Sequence, residues 1–135
     1  MSLSQVIGYI ALLAASLASD GSERDWILIT TDEDLNVHLV DRSSIAASTN
    51  DIKSAWLRYD YYKPPAHQPN LNAIEALENF DCLGRRRQIT LIFAFLKDGK
   101  RVTETQKHPW RAVTAGSSSE LEFEYVCSGA LAPPR

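Results

Sequence analysis

Apolar and polar positions alternate through the first half of the chain and predict β-strands there. Trp26–Thr31 is apolar and β-branched, and Leu35–Val40 alternates apolar with polar residues after an acidic turn, so the two segments predict a hairpin. A third strand is predicted over Lys53–Tyr62, which ends at the proline-rich segment Lys63–Pro69. Its two predicted faces are Leu57, Tyr59 and Tyr61 toward the core, and Trp56, Arg58, Asp60 and Tyr62 on the opposite side.

The second half contains the longest apolar strand. Ile89–Leu96 lies within Arg85–Lys97 and is apolar on both faces, which predicts a central strand covered by a helix on one face and a partner subunit on the other. Asp98-Gly99 is a strong hairpin sequence, and the polar segment Lys100–Lys107 is typical of an edge strand. Trp110–Val113 is expected to pair briefly with the sheet.

Two segments have features of helices. Asn72 lies three residues before Glu75, as in a helix cap, and apolar residues at helical spacing predict a short helix there: Leu71, Ile74, Leu77 and Phe80. Ser117-Ser-Ser-Glu120 matches a capping box and predicts a helix over Leu121–Cys127, although the alternation in this segment also permits a strand. The predicted fold class is therefore α+β, an antiparallel β-sheet of about five to six strands with a C-terminal helix.

The N-terminal segment differs from the rest of the chain. Residues 1–18 carry no charged side chain, and the apolar run Val6–Leu17 is shorter than a typical membrane span. Ser16 and Ala18 are small residues at the two positions that a signal peptidase reads. We predict a signal peptide over 1–18 and one domain over 19–135, exported to the periplasm, the cell surface or the medium, with no stable membrane span after cleavage. An ordinary apolar helix and a retained membrane anchor are the alternatives.

Charge and cysteine content narrow the functional classes. The chain has 14 Lys and Arg and 17 Asp and Glu, a net charge of −3, so its overall field does not favour nucleic acid or an anionic membrane. Cys82 and Cys127 are far apart and outside a CxxC motif. In an exported chain this pair predicts one disulfide rather than a metal or redox site, and two buried free thiols are the alternative.

The sequence shows no arrangement typical of a catalytic or metal site. His38, His67 and His108 lie in separate segments without metal-ligand spacing, and the chain has no G-x-S-x-G elbow and no glycine-rich phosphate loop. We therefore predict no enzyme activity, no cofactor and no metal ion. A pocket that gathers one of these histidines with a carboxylate would favour an enzyme instead.

Arginine and aromatic residues provide the candidate ligand-binding residues. Arg85, Arg86 and Arg87 are predicted to hold carboxylates, sulfates or phosphates through paired hydrogen bonds, with Arg85 and Arg87 on one face. Trp56 and Arg58 add the aromatic and arginine combination that protein interfaces favour. The alternatives are a solvated strand entry for the arginines and packing under the proline-rich loop for Trp56.

Several short motifs follow one another in an order that is more specific than any one of them. They are Trp26-Ile, Asp41-Arg-Ser-Ser-Ile45, Trp56-x-Arg58-Tyr-Asp-Tyr61, Asp81-Cys82 with Arg85-Arg-Arg87, the Phe95–Gly99 hairpin, Trp110 and the serine-rich helix to Cys127. In this order they resemble the bacterial surface-adhesin protein E family. The resemblance implies a C-terminal helix packed across the sheet, a cysteine pair that ties helix to sheet, self-association and the binding of host matrix proteins.

These observations lead to two functional hypotheses. The first is a non-enzymatic exported binding protein, adhesin-like, whose partner is a protein or an anionic polymer, with the choice between monomer and homodimer left open. The second is an exported inhibitor of an extracellular enzyme, which would present a rigid exposed loop at Lys63–Asn70. A flat aromatic and arginine face would favour the first hypothesis, and a protruding proline-rich loop would favour the second.

Overall fold

The structure is a computed structural model that describes residues 23–49 and 51–131, so the predicted signal peptide lies outside the described residues. The strands are β1 (Trp26–Thr31), β2 (Val37–Asp41), β3 (Ala46–Ala47), β4 (Ile52–Asp60), β5 (Leu71–Asp81), β6 (Arg86–Leu96), β7 (Arg101–Glu104) and β8 (Arg111–Ala112). A 3-10 turn covers Arg42–Ser44, and helix α1 covers Ser118–Ser128. Within the described ranges, no helix has the length and apolarity needed to cross a membrane.

All eight strands belong to one antiparallel sheet. The order across the sheet is β1-β2-β4-β5-β6-β7, while β3 pairs with β4 and β8 pairs with the first residues of β6. Helix α1 packs across one face and contacts β1, β2, β4 and β5. The predicted fold class is confirmed, but the sheet has eight strands rather than five to six, because it includes the segment predicted as a short helix and two strands of two residues.

The predicted helix after Asn72 is wrong, because this segment forms the long central strand β5. Ile74 and Phe80 lie on the face that α1 covers, where they pair with Tyr59 and Lys53 of β4. Leu77 lies on the opposite face, opposite Trp56. A strand that is apolar on both faces can place apolar residues at intervals of three, which produces the same spacing as one face of a helix.

Strand β6 is less covered than its sequence predicts. On one side, β5 pairs with it along its whole length. On the other side, β8 pairs with its first residues and β7 pairs with residues 92–95. However, all side chains of Ile89–Leu96 are only partly buried, because α1 lies over the other half of the sheet. The expectation that a helix covers one face of residues 89–96 is therefore wrong for the described chain, and coverage of the other face by a partner subunit stays a prediction.

The buried core lies between α1 and the sheet. Its largest side chains include Phe80, Leu57, Val40 and, from the helix, Phe123. The predicted disulfide is confirmed, since Cys82 at the end of β5 is bonded to Cys127 in the last turn of α1. This bond fixes the end of the helix to the sheet and excludes the alternative of two free thiols.

The start of α1 is set by the predicted cap. The Ser117 hydroxyl accepts a hydrogen bond from the Glu120 backbone N–H at 3.3 Å, and the Glu120 carboxylate accepts one from the Gly116 N–H at 3.0 Å. At the other end, Gly129 adopts a positive φ of 77° and its N–H is donated to the Tyr125 carbonyl at 2.8 Å. Such caps satisfy backbone groups that a helix leaves unpaired, so helix is favoured over the alternative strand.

Candidate binding surfaces

Arg87 lies at the centre of a charged network that is buried between α1 and the sheet. Its guanidinium is 2.9 Å from a carboxylate oxygen of Glu78 and 2.7 Å from one of Glu122. It also donates to the Ser119 carbonyl at 3.0 Å and to the Tyr59 hydroxyl at 3.3 Å. The side chain is only 9 % exposed, so Arg87 holds the helix to the sheet and presents little of its charge to solvent.

The electrostatics of this network follow from burial. Burial alone would lower the pKa of Arg87, but the carboxylates of Glu78 and Glu122 raise it, so the guanidinium stays charged. Burial raises the pKa of the Glu78 carboxyl, an effect that the charge of Arg87 partly offsets. The pKa of the Tyr59 hydroxyl is raised well above its usual value by burial and by the two nearby carboxylates.

His38 joins the same network from β2. One ring nitrogen is 3.1 Å from Glu122 of the helix, and the other is 3.0 Å from Asp32 in the β1–β2 turn. Burial alone would lower the pKa of His38, but its hydrogen bonds to Glu122 and Asp32 raise it. Both ring nitrogens are therefore engaged, and the ring connects the turn to the helix.

These side chains line a cleft of about 450 Å³ between the N-terminal end of α1 and the sheet. Tyr59, Tyr61 and Ile89 contribute its sheet side, and Arg111 and Ser118 lie at its other walls. A histidine does therefore share a pocket with carboxylates, an arrangement that the dispersed positions of these residues along the chain did not indicate. A general base needs a ring nitrogen within reach of substrate, and both nitrogens of His38 are bonded to carboxylates.

The opposite face of the sheet, here called the outer face, carries a stack of aromatic rings and arginines. The Trp56 and Phe93 rings are stacked with centroids 5.5 Å apart and planes inclined by 13°. The Arg24 guanidinium lies 4.6 Å from the Trp56 centroid, and the Arg101 guanidinium lies 4.7 Å from the Phe93 centroid. The stack crosses from the segment before β1 to the edge strand β7, and no second layer of the described chain covers it.

Arg58 extends this face beside the stack. Its guanidinium is 2.6 Å from Glu75 and 2.8 Å from Asp60, and it lies 5.5 Å from the centroid of the Phe95 ring. Trp56 and Arg58 thus lie on one face, as the alternation along β4 predicted. Their stacking partners come from distant strands, so the alternation along one strand could not reveal them.

The three consecutive arginines do not form one cluster. Arg85 lies in the turn before β6 and bonds Glu120 and Glu124 of α1 at 2.8 and 3.0 Å. Arg87 lies on the same side as Arg85, as predicted, whereas Arg86 points to the other side. There Arg86 is 2.8 Å from the Asp81 carboxylate and 5.1 Å from the Trp110 ring centroid.

The other histidines and the proline-rich loop lie apart from the cleft. His108 is 3.1 Å from Glu104, and His67 lies in the exposed loop between β4 and β5. The start of this loop is held by the buried Asn36, whose side-chain oxygen accepts the N–H groups of Tyr62 and Lys63. Within residues 23–49 and 51–131, no group of three His, Cys, Asp or Glu side chains is placed to hold a metal ion.

The comparison with known families agrees with this architecture. The family model of surface-adhesin protein E matches residues 26–128, which include the whole sheet and the helix. The chain belongs to the surface-adhesin protein E family. This family membership supports a surface adhesin-like role, and it confirms the resemblance that the sequence motifs indicated.

Solved structures of Haemophilus influenzae protein E have the same fold. One is 12 % identical, with a TM-score of 0.57, and the alignment covers 77 % of this chain and 87 % of that one. A structure from a non-typeable strain is 13 % identical, with a TM-score of 0.52, and covers 86 % of this chain and 82 % of that one. No curated protein matches the sequence.

Proposed function

We propose that this chain is a non-enzymatic exported binding protein, adhesin-like, that holds a protein partner on the outer face of its sheet. The observation that supports this proposal is the stack of Arg24, Trp56, Phe93 and Arg101 on a face that no second layer of the described chain covers. Surface-adhesin family membership is consistent with such a role. The first 18 residues are, in this proposal, a signal peptide that is cleaved, and residues 19–135 form the mature domain.

The chemistry of the outer face fits a protein interface. Tryptophan and arginine are enriched at the centres of interfaces because each combines a large contact area with a polar group. Six strands have five spacings of about 4.8 Å between them, so a width of about 24 Å and a length of about 20 to 30 Å give roughly 500 to 700 Å² of surface. This area approaches the roughly 800 Å² that each partner contributes to a typical stable complex.

The stack also lowers the cost of binding. Trp56 contacts both Arg24 and Phe93, and Arg58 is held by Glu75 and Asp60, so these side chains already have fixed partners. Ordering a flexible side chain at an interface costs about 0.5 to 1.5 kcal/mol. Residues that are fixed before binding avoid most of this cost, which favours a binding role for this face.

The proposal is tested by capture of extracellular matrix proteins on the immobilised, oxidised chain. Trp56→Ala and Arg58→Ser are each expected to weaken saturable binding by about tenfold or more, as interface residues of these types do. Tyr62→Ala and Arg42→Ser are the matched controls, because Tyr62 is an exposed aromatic residue in a loop and Arg42 an exposed arginine with an acidic partner. Circular dichroism and thermal unfolding verify that each variant is folded.

The other outcomes of this experiment identify competing functions. Sedimentation that shows a dimer, lost in Trp56→Ala, would assign the outer face to a second copy of this chain rather than to a host protein. Capture that Trp56→Ala and Arg58→Ser leave unchanged would refute a site on the outer face. Inhibition of an extracellular protease that depends on Lys63–Asn70, in the absence of capture, would replace the proposal with the exported inhibitor. N-terminal sequencing of the exported protein tests cleavage after Ala18.

A further inference from the structure

Among the described residues, exposed positive charge without an acidic partner lies along one edge of the sheet. Most lysines and arginines of the described chain lie within 4.0 Å of an Asp or Glu oxygen, and Lys53 donates instead to the last carbonyls of α1. Within residues 23–49 and 51–131, the cations that have no such acidic neighbour are Lys97, Arg101, Lys107 and Arg111. All four are exposed and lie on or beside β7 and β8, and Arg111 is also the edge residue that lies at the wall of the cleft.

The backbone arranges these cations along a line. Strand β7 pairs with residues 92–95 of β6, and β8 pairs with residues 86–87, so segment 97–111 runs beside the whole of β6. Because β6 has 11 residues, this edge is about 36 Å long at 3.3 Å per residue. We call segment 97–111 the basic edge.

Charge is segregated between the two edges of the sheet. The basic edge carries five Lys and Arg and two Asp and Glu, which leaves nine basic and fifteen acidic residues for the rest of the chain. Residues 23–41, which form the opposite edge with β1 and β2, carry six acidic residues and one arginine. The two edges are about 24 Å apart, well beyond the screening length of about 8 Å at physiological ionic strength.

We infer that the basic edge is a second binding site, for a sulfated or carboxylated polysaccharide chain. A linear polyanion can follow an edge of this length and stay clear of the acidic part of the molecule. A flat anionic membrane or a DNA duplex is wider than one sheet edge, so either of them would also approach the acidic rest of the chain. The basic edge shares Arg101 with the outer-face stack, but Lys97, Lys107 and Arg111 take no part in that stack, so variants of these three residues test the edge separately from the proposed outer-face function.

Heparin of defined length serves as the probe, with affinity measured by calorimetry on the full oxidised chain at 0.05 to 0.3 M salt. Replacement of Lys97, Lys107 and Arg111 by serine is expected to weaken binding on the order of a hundredfold, since each cation near an anionic surface contributes on the order of 1 kcal/mol. Arg101 is left intact because it belongs to the outer-face stack. The unaltered chain should lose affinity steadily as salt rises.

The matched control replaces Arg42, Lys63 and Arg85 by serine. This variant also loses three positive charges, but from exposed side chains that have acidic partners. Its affinity for heparin should fall at most a few-fold. An equal loss of heparin affinity in both variants would mean that only the net charge of the chain matters, and it would overturn the proposed site. The absence of heparin binding at 0.15 M salt would overturn it as well. Equal affinity for a DNA duplex or for phosphatidylserine vesicles would overturn the assignment to a polysaccharide.

Discussion

Arg87 provides a stringent test of how the helix is attached to the sheet. Its guanidinium is the cation that lies within 3 Å of both Glu78 and Glu122, and these two carboxylates are 3 % and 2 % exposed. Substitution of Arg87 by methionine keeps a long apolar side chain over the Phe80 ring but removes the charge. Two carboxylates are then left buried, with only the Tyr59 hydroxyl and His38 as remaining partners.

The expected loss of folding stability is large because the carboxylates of Glu78 and Glu122 stay buried without their cation. Removing one partner of a buried ion pair typically costs about 3 to 5 kcal/mol, since the other partner keeps its desolvation penalty. The whole folding free energy of a domain of this size is about 5 to 15 kcal/mol. Arg87→Met should therefore lose a substantial part of the stability of the oxidised chain. Arg86→Met is the matched control, because the neighbouring Arg86 is half-exposed and pairs with the single carboxylate of Asp81.

Urea unfolding followed by tryptophan fluorescence at pH 7 measures this difference. Arg87→Met should have a much lower midpoint than the unaltered chain, and Arg86→Met should differ little from it. The triple variant Arg87→Met, Glu78→Gln, Glu122→Gln should recover part of the loss, because neutral amides need no cation. A loss below about 1 kcal/mol in Arg87→Met would refute the reasoning, since a surface ion pair contributes no more than that.

Three further predictions follow from other contacts. Replacement of both Cys82 and Cys127 by serine should lower the free energy of unfolding by about 4 kcal/mol, from loop entropy over 45 residues, and urea midpoints of the oxidised chain and the variant measure it. The raised pKa of His38 contributes stability that is complete below about pH 6.5 and is lost as the pH rises through the folded value, so His38→Gln should flatten the fall in unfolding free energy above pH 6.5. If the unfolding free energy of His38→Gln falls with pH as steeply as that of the unaltered chain, another titrating group causes the fall. Ser117→Ala should cost about 1 kcal/mol in thermal unfolding, because the helix cap is lost, and an unchanged midpoint would contradict that role.

Local sequence rules predicted the parts of the fold that local chemistry determines. The β1–β2 hairpin, the Asp98-Gly99 turn and the cap at Ser117 are confirmed because turn and cap residues act over a few positions. Strand β5 was predicted as a helix because its apolar residues face both sides of a sheet, and only the pairing with β4 and β6 fixes that arrangement. Tertiary pairing outweighs local periodicity in such a segment.

The candidate sites were less predictable because their partners are distant in sequence. Alternation placed Arg85 and Arg87 on one side of the chain, and both do face the helix. It could not show that Glu78 and Glu122 enclose Arg87, since these residues lie on β5 and α1. Likewise, Trp56 is a visible interface candidate, but its stacking on Phe93 depends on β5 lying between their strands.

The two faces of the sheet differ in a way that bears on how this protein binds. On the helix side, Arg87, His38 and their carboxylates form a satisfied buried network, and a ligand that used them would have to break bonds that hold α1 in place. On the outer face, the stacked rings and guanidiniums contribute to no such attachment of the helix. If the outer face is the binding site proposed above, a partner can contact Trp56 and Arg58 without disturbing the core, because the helix, the disulfide and the buried charges preserve the fold independently of that face.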